Sequence, residues 1–82
     1  MPVVLRIRGY RFWFYEADLD EPPHVHVGKE SKEAKYWMTP IALTGSRGFR
    51  DHELNEIERI LVEHQGDILA AWRKELEKRG HR

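Results

Sequence analysis

The 82-residue chain predicts an α+β fold in which a small antiparallel sheet of three to five strands packs on a long or kinked C-terminal helix. Two observations carry this. Through the first half, apolar side chains recur with the period of two that belongs to strands; from Asp51 onward the period becomes that of a helix. Short Gly- and Pro-marked connections suit strands that follow one another in antiparallel order before a single helical layer covers them.

Val3, Leu5 and Ile7 alternate with Val4, Arg6 and Arg8, and Gly9-Tyr10 separates this run from Arg11-Phe12-Trp13-Phe14-Tyr15-Glu16. The pattern is a β-hairpin with a two-residue turn, Gly9 supplying positive φ at its first central position. In the second strand Phe12 and Phe14 face one way and Trp13 and Tyr15 the other. A strand apolar on both faces is central in its sheet, or its second face is covered by another chain.

An acidic loop, Asp18 to Pro23, leads to His24-Val25-His26-Val27. Pro23 cannot donate to a sheet ladder, and Pro22 is held away from helical geometry by the proline after it, so the strand begins at His24. Gly28 to Lys32 reads as a polar connection. In the next strand Ala34, Tyr36 and Met38 share a face, opposite Glu33, Lys35 and Trp37. Pro40 ends that strand, Ile41 to Thr44 adds a short strand or an extended crossing, and Gly45-Ser46-Arg47-Gly48 reads as a loop.

The helical stripe is Leu54, Ile57, Leu61, His64, Ile68, Trp72 and Leu76, with Arg59, Glu63, Arg73 and Glu77 on the solvated side. It passes Gly66 in phase, which favours a continuous or kinked helix over a helical hairpin, although Gly66-Asp67 resembles a helix stop followed by a new N-cap. A helix from Asp51 to Arg79 extends about 43 Å at 1.5 Å per residue. A globule of this size is nearer about 30 Å across. The end therefore protrudes, and Ile68, Leu69, Trp72 and Leu76 ask for cover from a second copy, so a homodimer is expected.

Composition narrows the function. The 14 basic and 14 acidic side chains cancel, so the overall positive field of a duplex-gripping protein is missing and only a local basic patch remains open. The chain has no cysteine, which suits a reducing compartment. The start, Met1 to Arg6, has no apolar run suited to a signal peptide or membrane span, so a cytoplasmic setting is expected. One domain spans 1–82, its sheet portion 1–49 and its helical portion 50–79.

Strand alternation places His24 and His26 on one face with Val25 and Val27 on the other, so the valines serve the core while both imidazoles look outward. Such a pair suits metal ligation, acid–base work on a phosphodiester, or recognition of a carboxylate or phosphate; equally, it can hydrogen-bond within the sheet and to the acidic loop. No cofactor is expected, with zinc the metal such a pair would admit if Asp18, Asp20, Glu21, His52 or His64 supplied a third ligand. As catalytic groups, His24 and His26 would draw on Arg6, Arg8, Arg11, Lys29, Lys32 and Lys35 to stabilise charge during RNA cleavage. Asp18, Asp20 and Glu21 lack the glycine and distal glutamate of a calcium loop. Gly45 to Gly48, with Arg47 and Arg50, can meet an anion at the helix start, though Asp51 sets a negative charge there. Trp13, Trp37 and Trp72 either stack bases or belong to the core or a dimer contact.

The start Met1-Pro2-Val3-Val4-Leu5-Arg6, the segment Pro22-Pro23-His24-Val25-His26-Val27, the run Ala34-Lys35-Tyr36-Trp37 and the tail from Glu53-Leu54 to Trp72 resemble, in order, one small bacterial family of unknown function. Some members of that family are labelled DhiT-like toxins of type II toxin–antitoxin pairs. The double proline before His-x-His is its hallmark. The resemblance implies a cytoplasmic protein that acts with an antitoxin-like partner. The chain departs from the family at Arg50, where members commonly have Ser and where Asp51 is left to cap, and at Gly66. The expectation is thus a toxin-like component acting on RNA or the translation machinery through the ribosome, with His24 and His26 as acid–base or RNA-contact groups and Arg6, Arg8, Lys35 and Arg47 as binding groups. The alternatives are a non-enzymatic dimeric protein-binding module, whose docking surface is the His pair and the aromatic second face, and a metal-binding regulator.

Overall fold

The computed structural model describes residues 3–15 and 19–80. Five strands, β1 (Val3–Ile7), β2 (Tyr10–Trp13), β3 (His24–Lys29), β4 (Lys32–Met38) and β5 (Ile41–Arg47), form an antiparallel sheet in chain order. Two helices follow, α1 (Asp51–Glu63) and α2 (Gln65–Gly80). The fold is α+β.

Turn chemistry sets the register. The β1–β2 turn falls on Arg8 and Gly9, both at positive φ (53° and 85°), with Ile7 paired to Tyr10. Two consecutive residues at positive φ match the twist of a two-residue hairpin. The turn thus lies one residue earlier than the sequence suggests, and Tyr10 joins β2 with its ring buried. The β3–β4 hairpin is equally tight. Lys29 pairs with Lys32 across Glu30 and Ser31, Glu30 sitting at φ 58°, so most of the expected polar connection is strand. β5 also continues through Gly45, Ser46 and Arg47, expected as loop. Lys35 pairs with Gly45 and Tyr36 with Leu43, which leaves Thr44 as the extra residue of a bulge.

One sheet face forms the core. Phe12, Val25, Val27, Tyr36 and Met38 are buried there with Ile57, Ile60 and Leu61 of α1 and Ile68 and Trp72 of α2. Polar contacts fix the helices over this face. Tyr36 donates its hydroxyl to the Leu54 carbonyl (3.3 Å), Gln65 Nε2 donates to the Met38 carbonyl (2.8 Å), and Tyr10 donates to Glu56 (3.0 Å). Arg50, not Asp51, is the N-cap residue, in extended geometry (φ −89°, ψ 164°). The Glu53 carboxylate, three residues on, accepts the Arg50 backbone N–H at 2.9 Å and the Lys32 ammonium at 2.8 Å. The helix start is thereby tied to β4 by an acid inside its own first turn, where the helix dipole favours negative charge.

These latches give the fold a pH window. The Lys32 hydrogen bond and then the Arg50 N–H hold the Glu53 carboxyl below its usual range, and Arg8 and then Tyr10 do the same for Glu56. A carboxyl whose pKa is lower folded than unfolded contributes stability above its unfolded pKa and loses it as pH falls through the folded one. Burial, and then the Glu56 hydrogen bond, pushes Tyr10 up to about 12; burial and then the charge of Glu58 push Tyr36 up to about 12. Both phenols are neutral in the fold, so their contribution is present below the ordinary phenol pKa and is lost as pH rises towards 12. The melting temperature is expected to be level between roughly pH 5 and 9 and to fall on both sides. Melts followed by circular dichroism across pH check this, and Glu53→Gln should flatten the acid limb.

The helical stripe is broken at His64 rather than Gly66. His64 has φ −113°, yet its N–H donates to Ile60 and its carbonyl accepts from Ile68, both at 2.9 Å, so helical bonding crosses the kink. The molecule measures 43 × 23 × 21 Å. Ile68 and Trp72, for which a second copy was the expected cover, are instead buried against this chain's own sheet; Leu76 remains 38 % exposed. Gly66 lies in the first turn of α2, exposed, with nothing within 4 Å of where a Cβ would stand. Gly66→Ala is expected to stabilise the fold by about 0.5–1 kcal/mol in urea unfolding, because alanine loses less backbone entropy in a helix.

Candidate functional site

Strand alternation and register arrange the second sheet face, away from the core, in three cross-strand rows. Arg6, Arg11, Gly28, Glu33 and Arg47 form one; Trp13, His26, Lys35 and Gly45 the next; His24, Trp37 and Ala42 the third. Cations and rings therefore interleave across one surface.

His24 and His26 share this face, their ring centroids 5.4 Å apart. They do not both look outward. His24 is 0 % exposed, with Trp37 at 5.5 Å and Trp72 at 5.4 Å. The cause is tertiary: His24 opens β3 at the end of the sheet, where Trp72 of α2 also packs edge-on against Phe14 at 4.9 Å. His24 Nδ1 donates to the Pro22 carbonyl at 3.0 Å, so the neutral ring carries its proton on Nδ1. The double proline thus positions the histidine as well as starting the strand. Glu21 stands 3.8 Å from His24 Nδ1 and 3.7 Å from Lys35 Nζ.

His26 is half-buried and reaches the surface. Its ring stacks on Trp13 (5.8 Å, 21°) and takes the edge of Tyr15 (4.7 Å, 68°). Trp13 lies across Gly28, where a Cβ would come within 3.0 Å of the indole, so glycine is what lets the ring settle on the sheet. Tyr15 is 42 % exposed. A continuous series of rings, Tyr15, His26, His24, Trp72 and Phe14, runs from solvent into the core.

The fold brings Arg6, Lys35 and Arg47 to the same face as the histidines. It removes Arg8, whose guanidinium sits at the hairpin turn and pairs with Glu56 of α1 at 3.1 Å. Lys29 lies over the Tyr10 ring and Lys32 meets Glu53, so these two serve the helix side. Lys35 Nζ stands 5.3 Å from the Trp37 ring centroid, and Arg47 donates to Glu33 at 3.1 Å. Between Tyr15, His26 and Lys35 on one side and Gly45 to Arg47 on the other lies an open groove of about 510 Å³. Gly45 and Glu33 escape a reading of the sequence as site residues, because only the β4–β5 register sets them beside Lys35 and Arg47. The alternation of Trp13 and Tyr15 with the core phenylalanines was the one local signal for the rings.

Among the described residues no three His, Asp or Glu side chains are grouped as metal ligands. Asp18, one candidate third ligand, lies outside the described residues; His52 is exposed on the first turn of α1, and His64 sits at the kink, 3.7 Å from Asp67. At the start of α1, a candidate anion site, the Arg50 N–H donates to the Glu53 carboxylate, and Arg47 points its guanidinium at Glu33. No helix is long and apolar enough to cross a membrane among the described residues.

The fold and face define a small α+β protein with a sheet whose second surface carries rings and cations. Residues 9–73 match the family described as Domain of unknown function (DUF4160), and the chain belongs to that family. No curated protein and no solved structure matches it.

Proposed function

We propose that this chain is the toxin-like component of a bacterial toxin–antitoxin pair, working in the cytoplasm, and that its uncovered sheet face contacts RNA. One observation carries the reading: Tyr15, His26 and Trp37, with the buried Trp13 stacked on His26, interleave with Arg6, Arg11, Lys35 and Arg47 on one sheet face, while the helices occupy the other. Sheets that take single-stranded RNA use this arrangement, rings for bases and cations for phosphates. Stacking of a base on an aromatic side chain is worth about 1–3 kcal/mol.

Within this reading the two histidines have different roles. His26 reaches the surface and meets RNA as a contact or acid–base group. His24, buried and bonded to Pro22, is a positioning residue that packs edge-on against the His26 ring. An antitoxin-like protein would act by covering the same face.

A second reading, a protein-binding module that acts without catalysis, is favoured by charge. The chain's net charge is zero, and Lys35 and Arg47 each have a carboxylate beside them. Tyr, Trp and Arg are also the residues enriched at protein interfaces. In its dimeric form the exposed Val62 and Leu76 add apolar surface. Growth after induced expression separates the two. Arrest by the wild type, relieved by His26→Ala at matched soluble level and accompanied by crosslinking of RNA to the wild type, supports the first. Arrest that His26→Ala leaves intact, or a wild type that crosslinks no RNA, counts against it.

A further inference from the structure

We propose that the groove floored by Gly45 is a phosphate subsite for single-stranded RNA, in which Lys35 and Arg47 each meet one of two adjacent backbone phosphates and the adjoining base lies on Tyr15. This rests on the RNA reading of the face above and adds where on it the strand is held.

Gly45 lies in open space on the groove floor. Gly45 stands opposite Lys35 in the row that also holds Trp13 and His26, and a Cβ there would meet nothing within 4 Å. Any larger side chain would project into the space between Lys35 and Arg47. Those two residues sit diagonally across β4 and β5, which places them about 7–8 Å apart at the backbone, and their heads lean apart, Lys35 towards Glu21 and Arg47 towards Glu33, so each meets its own phosphate. A guanidinium has five N–H donors in a fixed fork, of which one goes to Glu33, so Arg47 is aimed without being used up. Thr44 and Ser46 also line the groove. At the other rim Tyr15 is 42 % exposed while its ring packs against His26.

Charge decides the strength. Glu21 and Glu33 offset part of the field of Lys35 and Arg47, so the groove cannot hold a polyanion by field alone. It suits a contact with about two phosphates, for which the logarithm of affinity falls with the logarithm of salt at a slope of about −1.4. A duplex, held by many phosphates at once, would need the net positive charge that the chain lacks.

The test is fluorescence anisotropy with a labelled single-stranded UA-repeat RNA over a salt series, with melts to show that each variant folds. Gly45→Leu fills the groove at an exposed strand position without removing a contact, and Arg47→Gln removes one cation. Arg59→Gln, on the solvated side of α1, is the control. We expect Gly45→Leu to weaken binding about tenfold, Arg47→Gln to lower the salt slope by about 0.7, and Arg59→Gln to bind as the wild type does. Wild-type binding that neither groove variant changes would overturn the subsite and leave RNA contact elsewhere on the face. A folded wild type that binds no RNA at low salt, whether or not it takes a polyglutamate peptide, would overturn the RNA reading and the subsite together.

Discussion

Replacing Trp72 by alanine is expected to destabilise the protein by about 3–5 kcal/mol, the range for truncating a buried tryptophan. Trp72 is 3 % exposed and closes on Phe14 at 4.9 Å and His24 at 5.4 Å. Small domains have only about 5–15 kcal/mol of stability, so the loss is a large share of the whole. Its location matters as much as its size. Among the described side chains of α2 the buried ones are Ile68 and Trp72, while Leu76 stays partly exposed. A helix of this length is marginal in water without a docked face. Trp72→Ala should therefore release the end of α2 before the sheet unfolds. Urea unfolding gives the energy, and amide exchange gives the place: α2 should lose protection while β3 and β4 keep theirs. A loss below about 1 kcal/mol, or uniform loss of protection, would mean that Trp72 is not what docks α2.

The second large effect separates the two histidines. His24→Ala is expected to destabilise by about 2–4 kcal/mol, because it empties a fully buried site and deprives the Pro22 carbonyl of its donor. His26→Ala loses only part of a stacked contact at the surface and is expected to stay within about 1 kcal/mol. The order follows from burial: His24 is 0 % exposed, whereas His26 sits between Trp13 and the exposed Tyr15. Thermal melts of the two single variants check it, and equal shifts would contradict the assignment of His24 to the core. The practical consequence concerns activity. Growth or RNA assays on a His24→Ala/His26→Ala double variant would confuse unfolding with lost chemistry. His26→Ala alone reports on the face, and His24→Ala with retained activity at low temperature would identify His24 as a support.

How much of this is legible in the sequence depends on the range of the interaction. The strands, the helical stripe and the sharing of a face by His24 and His26 follow from periods of two and 3.6, which are local properties of the chain. Local rules point to a turn at Gly9-Tyr10 and a cap at Asp51, whereas the structure has them one residue earlier, at Arg8-Gly9 and Arg50, because neighbouring positions satisfy the same rule. Gly45 reads as loop because glycine is depleted in strands, and only pairing with Lys35 makes it strand.

The sequence by itself determined an α+β fold with an alternating sheet, a helical layer and a sheet face rich in rings. The tertiary structure alone decided which histidine reaches solvent, since Trp72 arrives from α2 at the opposite end of the chain to cover His24. It alone sent Arg8 to Glu56 and set Arg47 and Gly45 beside Lys35. The physical reason is the same in each case. Periodicity fixes the side of an element on which a residue lies, whereas burial and partners depend on what other elements bring to that side.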